Sequence, residues 1–296
     1  MASSTRAFGS AETPVARRSP SGGLARRLLT NQAATAGLAI VALYLVLAVS
    51  ADWLPLRSPV QIIGANRMAG PSWSMPLGAD SFGRDLLSRV VFGARLSLQV
   101  SAVSVAMALV AGTALGLVAG YAGGWIDQVL MRAMDVLFAF PAVLLALGVV
   151  AALGPNPTNV VIAIALVYSP IFARVVRGPV LAIKEREYVE AARALGAGAP
   201  RIITHHVLPN VASVLIVQTS IALSWAVLTE AALSFLGLSA QPPAPSWGVM
   251  LNEGRQNLEL APHLAIVPGV AIMLAVLGFN LLGDGLRDVL DPRLRR

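Results

Sequence analysis

The side chains best equipped for chemistry gather around one stretch, residues 187–210, EYVEAARALGAGAPRIITHHVLPN, with the only lysine of the chain, Lys184, just ahead of it. His205 and His206 raise metal binding first. Adjacent residues on a helix point about 100° apart, so they cannot form the one-faced pair that an i, i+4 spacing gives, and hydrogen bonding at an interface is the use that remains. Lys184 stands in VLAIKE, without the Gly-Lys-Ser/Thr run that cradles phosphate and magnesium. Any such ATP site has to lie on another polypeptide. The absence of cysteine removes disulfides, thiolate ligands and cysteine nucleophiles together. No Ser, His and Asp constellation and no carboxylate pair with acid/base spacing stands out, so the chain reads as neither an enzyme nor a holder of metal or cofactor.

What this stretch can do is bind. Tyr188, Ala191, Ala192 and Leu195 fall at i, i+3, i+4 and i+7, one face of a helix of about three turns, with Glu187, Glu190 and Arg193 on its flanks. Gly196 and Gly198 break that helix, Pro200 suits the first turn of a second short one, and residues 201–207 carry the chain to Pro209. Two alanines at the centre of the face let a partner's surface come close to the backbone. A helix lying on a membrane would carry Leu, Phe or Trp there.

The elements around this polar island are apolar. The chain has 296 residues, 56% of them hydrophobic and 12% charged, with a mean hydropathy of +0.72, too apolar for a soluble domain to cover with polar groups. The net charge of +7 could suggest nucleic acid, but the basic residues fall between apolar runs, where anionic lipid and the positive-inside rule account for them. Six runs approach the ~20 residues that cross a bilayer: 33–51, 98–119, 136–153, 160–176, 211–229 and 264–282. Pro141 interrupts the third without ending it. Pro170 interrupts the fourth, and Arg174 and Arg177 close it. The first run exceeds the length of a signal peptide's apolar region and reads as a retained anchor, preceded by a disordered tail over residues 1–23; residues 24–296 form the membrane domain. Placing the N-terminus inside puts sixteen of the 22 basic residues on inner segments and six on outer ones. Both termini and the island are then cytoplasmic.

Within the spans Gly112, Gly116 and Gly120 form a stripe that lets another backbone approach, either inside the chain or in a partner subunit. Ionisable groups are almost absent from the spans, and Glu230 reads as the start of the outer loop. Tyr168, Ser169, Gln218 and Ser224 are neutral hydrogen-bonding groups that suit a weakly selective path for a polar solute or contacts between helices. The loop over residues 238–263 contains QPPAPSW. Its Gln241, Pro242, Pro243 and Trp247 are candidates for docking an external protein, and Trp247 alternatively for a membrane anchor.

The island resembles the signature of the inner-membrane permease subunits of binding-protein-dependent ABC importers. That signature is EAA, three residues, Gly, nine residues, then Ile, one residue and Leu-Pro. Glu190, Ala191 and Ala192 match it, Gly196 falls at the right spacing, and Leu208 and Pro209 close it; His206 stands where the general pattern has Ile. The form HVLPN looks like the version used by the dipeptide and oligopeptide branch, in particular its C-type subunit. PLGADSFGRDLLSRVVFGARLSL, EAALSFLGLSAQPPAPSWGVML and GDGLRDVLDPRLRR extend the likeness over nearly all of residues 26–296.

The resemblance implies an all-α membrane protein of the type I ABC importer permease fold, with six transmembrane helices and a cytoplasmic coupling helix. Glu190, Ala191, Ala192, Leu195, Gly196, Leu208 and Pro209 would then dock in an ATPase subunit. It implies a second homologous permease, two ATP-binding subunits or one fused ATPase carrying ATP and magnesium, and an extracytoplasmic binding protein, all at a bacterial plasma membrane, with dipeptides or oligopeptides as cargo. Nickel, glutathione or another small solute would fit the same class. An ion-coupled secondary transporter working alone would carry inverted repeats and midplane ionisable groups, and the sequence displays neither.

Overall fold

The computed structural model describes residues 28–290. The tail over residues 1–23 lies outside them. Among the described residues the chain is helical, its only β-pairing being two isolated bridges, Ser72 with Met75 and Ala79 with Asp85. The helices are α1 (Gln32–Ser50), α2 (Leu86–Ala122), α3 (Gly124–Phe138), α4 (Ala142–Leu153), α5 (Pro157–Ile183), α6 (Glu187–Ala194), α7 (Ala199–Ile202), α8 (Leu208–Phe235), α9 (Trp247–Arg255) and α10 (His263–Leu290). Side chains cap several of them: Asn31, Asp85, Asn156 and Ser246 accept from the backbone N–H of Ala34, Ser88, Thr158 and Val249, satisfying donors that a helix start leaves orphaned.

Among the described residues, five helical segments are long and apolar enough to cross a membrane, and a sixth results if α3 and α4 together make one crossing. That pair corrects the reading of a third span continuing through Pro141. The two helices meet at 91°, because Pro141 lacks an N–H, disfavours helical geometry at the residue before it and is itself extended (φ −56°, ψ 130°). The fourth span is corrected in the other direction: α5 runs on through Pro170 and Pro179. Arg174 and Arg177 do not close it, since α3 supplies each with a carboxylate. Asp127 takes Arg177 in two bonds of 2.5 and 2.6 Å, and Asp135 takes Arg174 at 2.6 Å.

The island's second short helix is not separate either. α7 passes through a π-helical turn, Ile203–Val207, straight into α8. Pro200 and Pro209 each sit in a first turn, where the missing N–H costs little. Thr204 and Asn210 donate to the carbonyls of Pro200 and His206, at 2.9 and 2.6 Å.

The glycine stripe is used inside the chain. A Cβ on Gly112 would meet the Ser169 carbonyl oxygen at 2.3 Å, one on Gly116 the Ala173 oxygen at 2.4 Å, and one on Gly120 the Val180 side chain at 2.9 Å. α2 therefore lies against α5 at a separation only glycine permits. Gly116→Val should overpack this seam by about 1–3 kcal/mol or more and lower the melting temperature of the purified protein in detergent by several degrees. Gly148→Ala in α4, where an added Cβ meets nothing within 4 Å, should leave it unchanged. Equal melting of both variants would mean that the seam is loose.

At the end of the bundle opposite the island, residues 51–85 and 236–262 form a cap around α9. Trp247 is fully buried there, edge-on to Tyr44 at 5.3 Å, its Nε1 donating to the Val90 carbonyl at 3.0 Å. Arg95 of α2 donates through Nε to the Ala48 carbonyl near the end of α1 (2.9 Å) and pairs with Asp52 at 2.9 Å.

Candidate functional site

The island is a ledge with one face anchored and the other open. Val189, Ile202 and Val207 are fully buried in the core that also holds Phe172 and Val176 of α5. Opposite them Tyr188 is 46% exposed and Leu195 89%, with Ala191 exposed and Ala192 half-buried between them. Glu187 and Glu190 stand in the first turn of α6 and Arg193 in its last, each sign at the helix end where the macrodipole favours it. The helix ends on Gly196 at φ +86°. The N–H of Gly196 donates to the Arg193 carbonyl and that of Ala197 to the Ala192 carbonyl, both at 3.0 Å, the pair of bonds that closes a helix through a left-handed residue. An added Cβ at Gly196 meets nothing within 4 Å, so glycine is required there by the backbone and not by space.

Leu208 and Pro209 are exposed beside this ledge, and the Tyr188 ring leans on His206 at 5.9 Å. His205 faces out, its Nδ1 within 2.9 Å of the Thr204 hydroxyl and 3.2 Å of the Arg201 carbonyl. The seven residues of the signature thus share one end of the molecule, with an apolar, small-residue centre and a charged rim. Such a surface suits a protein groove. Among the described residues no group of three or more His, Asp or Glu is placed to hold a metal ion.

The four neutral polar groups of the spans do not converge. The Tyr168 hydroxyl meets Thr229 Oγ1 at 3.0 Å, Ser169 donates to Ala165 within its own helix at 2.7 Å, and Ser224 donates to Asn280 Oδ1 at 2.9 Å. All three are buried and serve packing within the chain. Gln218 alone lines an open groove, with Ser213, Val217 and Arg287. At the cap, Gln241, Pro242 and Pro243 are exposed, whereas the burial of Trp247 removes it both from docking and from the membrane interface.

Three charged features were not legible from apolar runs. Asp80 and Glu253 hold Arg84 and Arg89 in a buried cluster: Asp80 Oδ2 lies 2.5 Å from Arg84 Nε and 3.3 Å from Arg89 Nε, and Glu253 Oε2 lies 2.9 and 3.0 Å from the two arginines. The second is Glu230, placed by the sequence at the start of a loop but fully buried within α8, where Ser234 donates to it at 2.5 Å. The third is the pair of ion pairs between α3 and α5. The signal for the first and third was available in the spacing of opposite charges, Asp80 with Arg84 in one segment and Asp127 and Asp135 ahead of Arg174 and Arg177.

The family described as binding-protein-dependent transport system inner membrane component matches residues 112–296. The chain is 48% identical over 270 residues to the dipeptide transport system permease protein DppC of Alkalihalophilus pseudofirmus, covering 91% of this chain and 89% of the relative. It is 47% identical over 271 residues to the glutathione transport system permease protein GsiD of Pectobacterium atrosepticum, covering 91% and 90%. To a GsiD of Escherichia coli it is 45% identical over 266 residues, covering 90% and 88%.

Proposed function

This chain belongs to the family of inner-membrane components of binding-protein-dependent transport systems, and from that premise we propose that it is the peptide-conducting permease subunit of an ATP-driven importer, with the ledge around Ala191 as its coupling helix. The cargo assigned is a short peptide. That class spans the dipeptide and glutathione named for its relatives, glutathione being itself a peptide. The partners are a second permease of the same family, two ATP-binding subunits and an extracytoplasmic binding protein. Both termini and the ledge are cytoplasmic; the cap faces outward, where Gln241, Pro242 and Pro243 are available to the binding protein.

The observation that carries the reading is the ledge itself. Its core-facing residues make it move with α5 and α8, while the centre of its open face, Ala191 and Ala192, is short-chained, with the larger Tyr188 and Leu195 at the two ends. In the mechanism this implies, ATP binding closes the ATPase pair, the docked ledges follow, and the two permeases rock from inward-open to outward-open. Turning such an equilibrium from 1:99 to 99:1 takes about 5.5 kcal/mol of differential binding. A helix anchored through Val189, Ile202 and Val207 can pass force to the spans; a free loop could not.

The orientation is tested by labelling. Because the chain has no cysteine, Ala197→Cys, Arg295→Cys and Gln241→Cys each carry one thiol without background. In intact cells an impermeant thiol reagent should modify Gln241→Cys and spare the other two until the membrane is opened. Labelling of Ala197→Cys from outside would remove the ledge from the compartment of the ATPases and overturn the proposal.

A further inference from the structure

We propose that the face shared by α3 and α5 lines a water-filled inner half of the translocation path, where Asp135 and Arg174 hold the charged termini of the passing peptide by exchanging partners with them. The inference rests on the peptide-permease reading above and adds to it a residue-level cargo contact.

α5 has 27 residues, about 40 Å at 1.5 Å per residue, against a hydrocarbon core of about 30 Å. Arg177 and Arg174 lie roughly 9 and 14 Å from its island end; with the core centred on the helix, about 5 Å overhangs at each end and Arg174 lies roughly 9 Å inside the apolar layer. Charges at such a depth face water or protein and not lipid. Yet Arg174 and Asp135 keep 45% and 49% of their side chains exposed. Neither can swing freely to the interface, since Arg174 is held by Asp135 and stacked over the Phe138 ring at 4.0 Å. Beside them a groove of about 510 Å³ opens between Asp127, Gln128, Met131, Arg132, Asp135 and Arg177. Open, charged and deep, it has the properties of a hydrated passage.

The two ion pairs are built for different work. Arg177 meets Asp127 in a two-bond fork, with side chains 35% and 13% exposed; fork pairing is strong and geometrically fixed, so this pair clamps α3 to α5. Arg174 meets Asp135 through a single bond and both are nearly half open. A peptide zwitterion presents a carboxylate and an ammonium, the two groups that can replace Asp135 on Arg174 and Arg174 on Asp135. The charges stay paired throughout, so the peptide's termini are never stripped bare of partners.

The test uses the whole transporter in proteoliposomes with its binding protein. Gln128→Cys and Met131→Cys should react with a charged, water-soluble methanethiosulfonate reagent from the ATPase side, while Leu43→Cys, an exposed apolar position on α1, should not. The double variant Asp135→Asn with Arg174→Gln can still hydrogen-bond across the helices but offers no ion pair to exchange. Its dipeptide uptake per ATP hydrolysed should fall at least tenfold. An unchanged ratio overturns the inference, whether uptake and hydrolysis both stay normal or both decline together. So does silence of Gln128→Cys and Met131→Cys. Failure of the wild-type complex to take up dipeptide at all would instead count against the peptide-permease reading.

Discussion

Asp80→Ala should cost about 3–5 kcal/mol, the price of leaving buried charges without their partner, and lower the melting temperature of the purified chain by roughly 10 °C. The carboxylate is a hub. Its Oδ1 accepts from the backbone N–H of Phe82 and Arg84, both at 2.9 Å, while its Oδ2 serves the Arg84 and Arg89 guanidinium groups. Those side chains are only 5% and 1% exposed, and removal of Asp80 leaves Glu253 as the one carboxylate between them. Because Asp80 lies in the segment before α2, Arg89 on α2 and Glu253 on α9, the cap should loosen as a unit. Asp80→Asn retains an acceptor for the turn and should cost less than Asp80→Ala. Melting of the alanine variant at the wild-type temperature, followed by fluorescence in a background where Trp247 is the one tryptophan kept of the five, would show that the cluster is not what joins the cap to the spans.

Ala191→Glu should abolish transport while leaving the fold intact. Ala191 is exposed and touches none of the packing that Val189, Ile202 and Val207 supply, so the variant should insert, melt normally and associate with the second permease. Against an ATPase groove the new carboxylate is buried unpaired, at a cost of about 3–5 kcal/mol, enough to weaken docking by roughly two to three and a half orders of magnitude. Binding-protein-stimulated ATP hydrolysis and peptide uptake should fall together to background. Normal uptake by this variant would mean that water, and not a partner, covers the face.

How much of this was legible in the sequence depends on which interaction decides each element. Apolar runs pointed to the long apolar helices because hydropathy is read one residue at a time. Their ends were misplaced wherever a distant partner decides. α2 starts at Leu86, ahead of its apolar run, because Arg89 and Ser97, polar and loop-like in sequence, are buried against the cap. α5 continues past Arg174 and Arg177 because α3 supplies their counter-charges. Pro141, read as a tolerated interruption, breaks its helix, whereas Pro170 is absorbed by one packed on α2. The island was more legible, since a helix face, a left-handed glycine and first-turn prolines are local features; its continuation through a π-turn into α8 was not. Trp247 failed for a physical reason: tryptophan suits a membrane interface and a packed interior equally, and Tyr44 and Val90, which decide between them, lie far away in sequence.

The central claim, that the ledge is where an ATPase subunit grips this chain, is tested most directly by replacing Tyr188 with a photoreactive benzoylphenylalanine in cells that make the whole transporter. Tyr188 is 46% exposed at the edge of the ledge, and an aromatic ring already occupies the position. On illumination the account predicts an adduct between this chain and the ATP-binding subunit, with none formed from the same group placed at Gln241. An adduct from Tyr188 only to lipid or to the binding protein, or no adduct to the ATP-binding subunit, would contradict it.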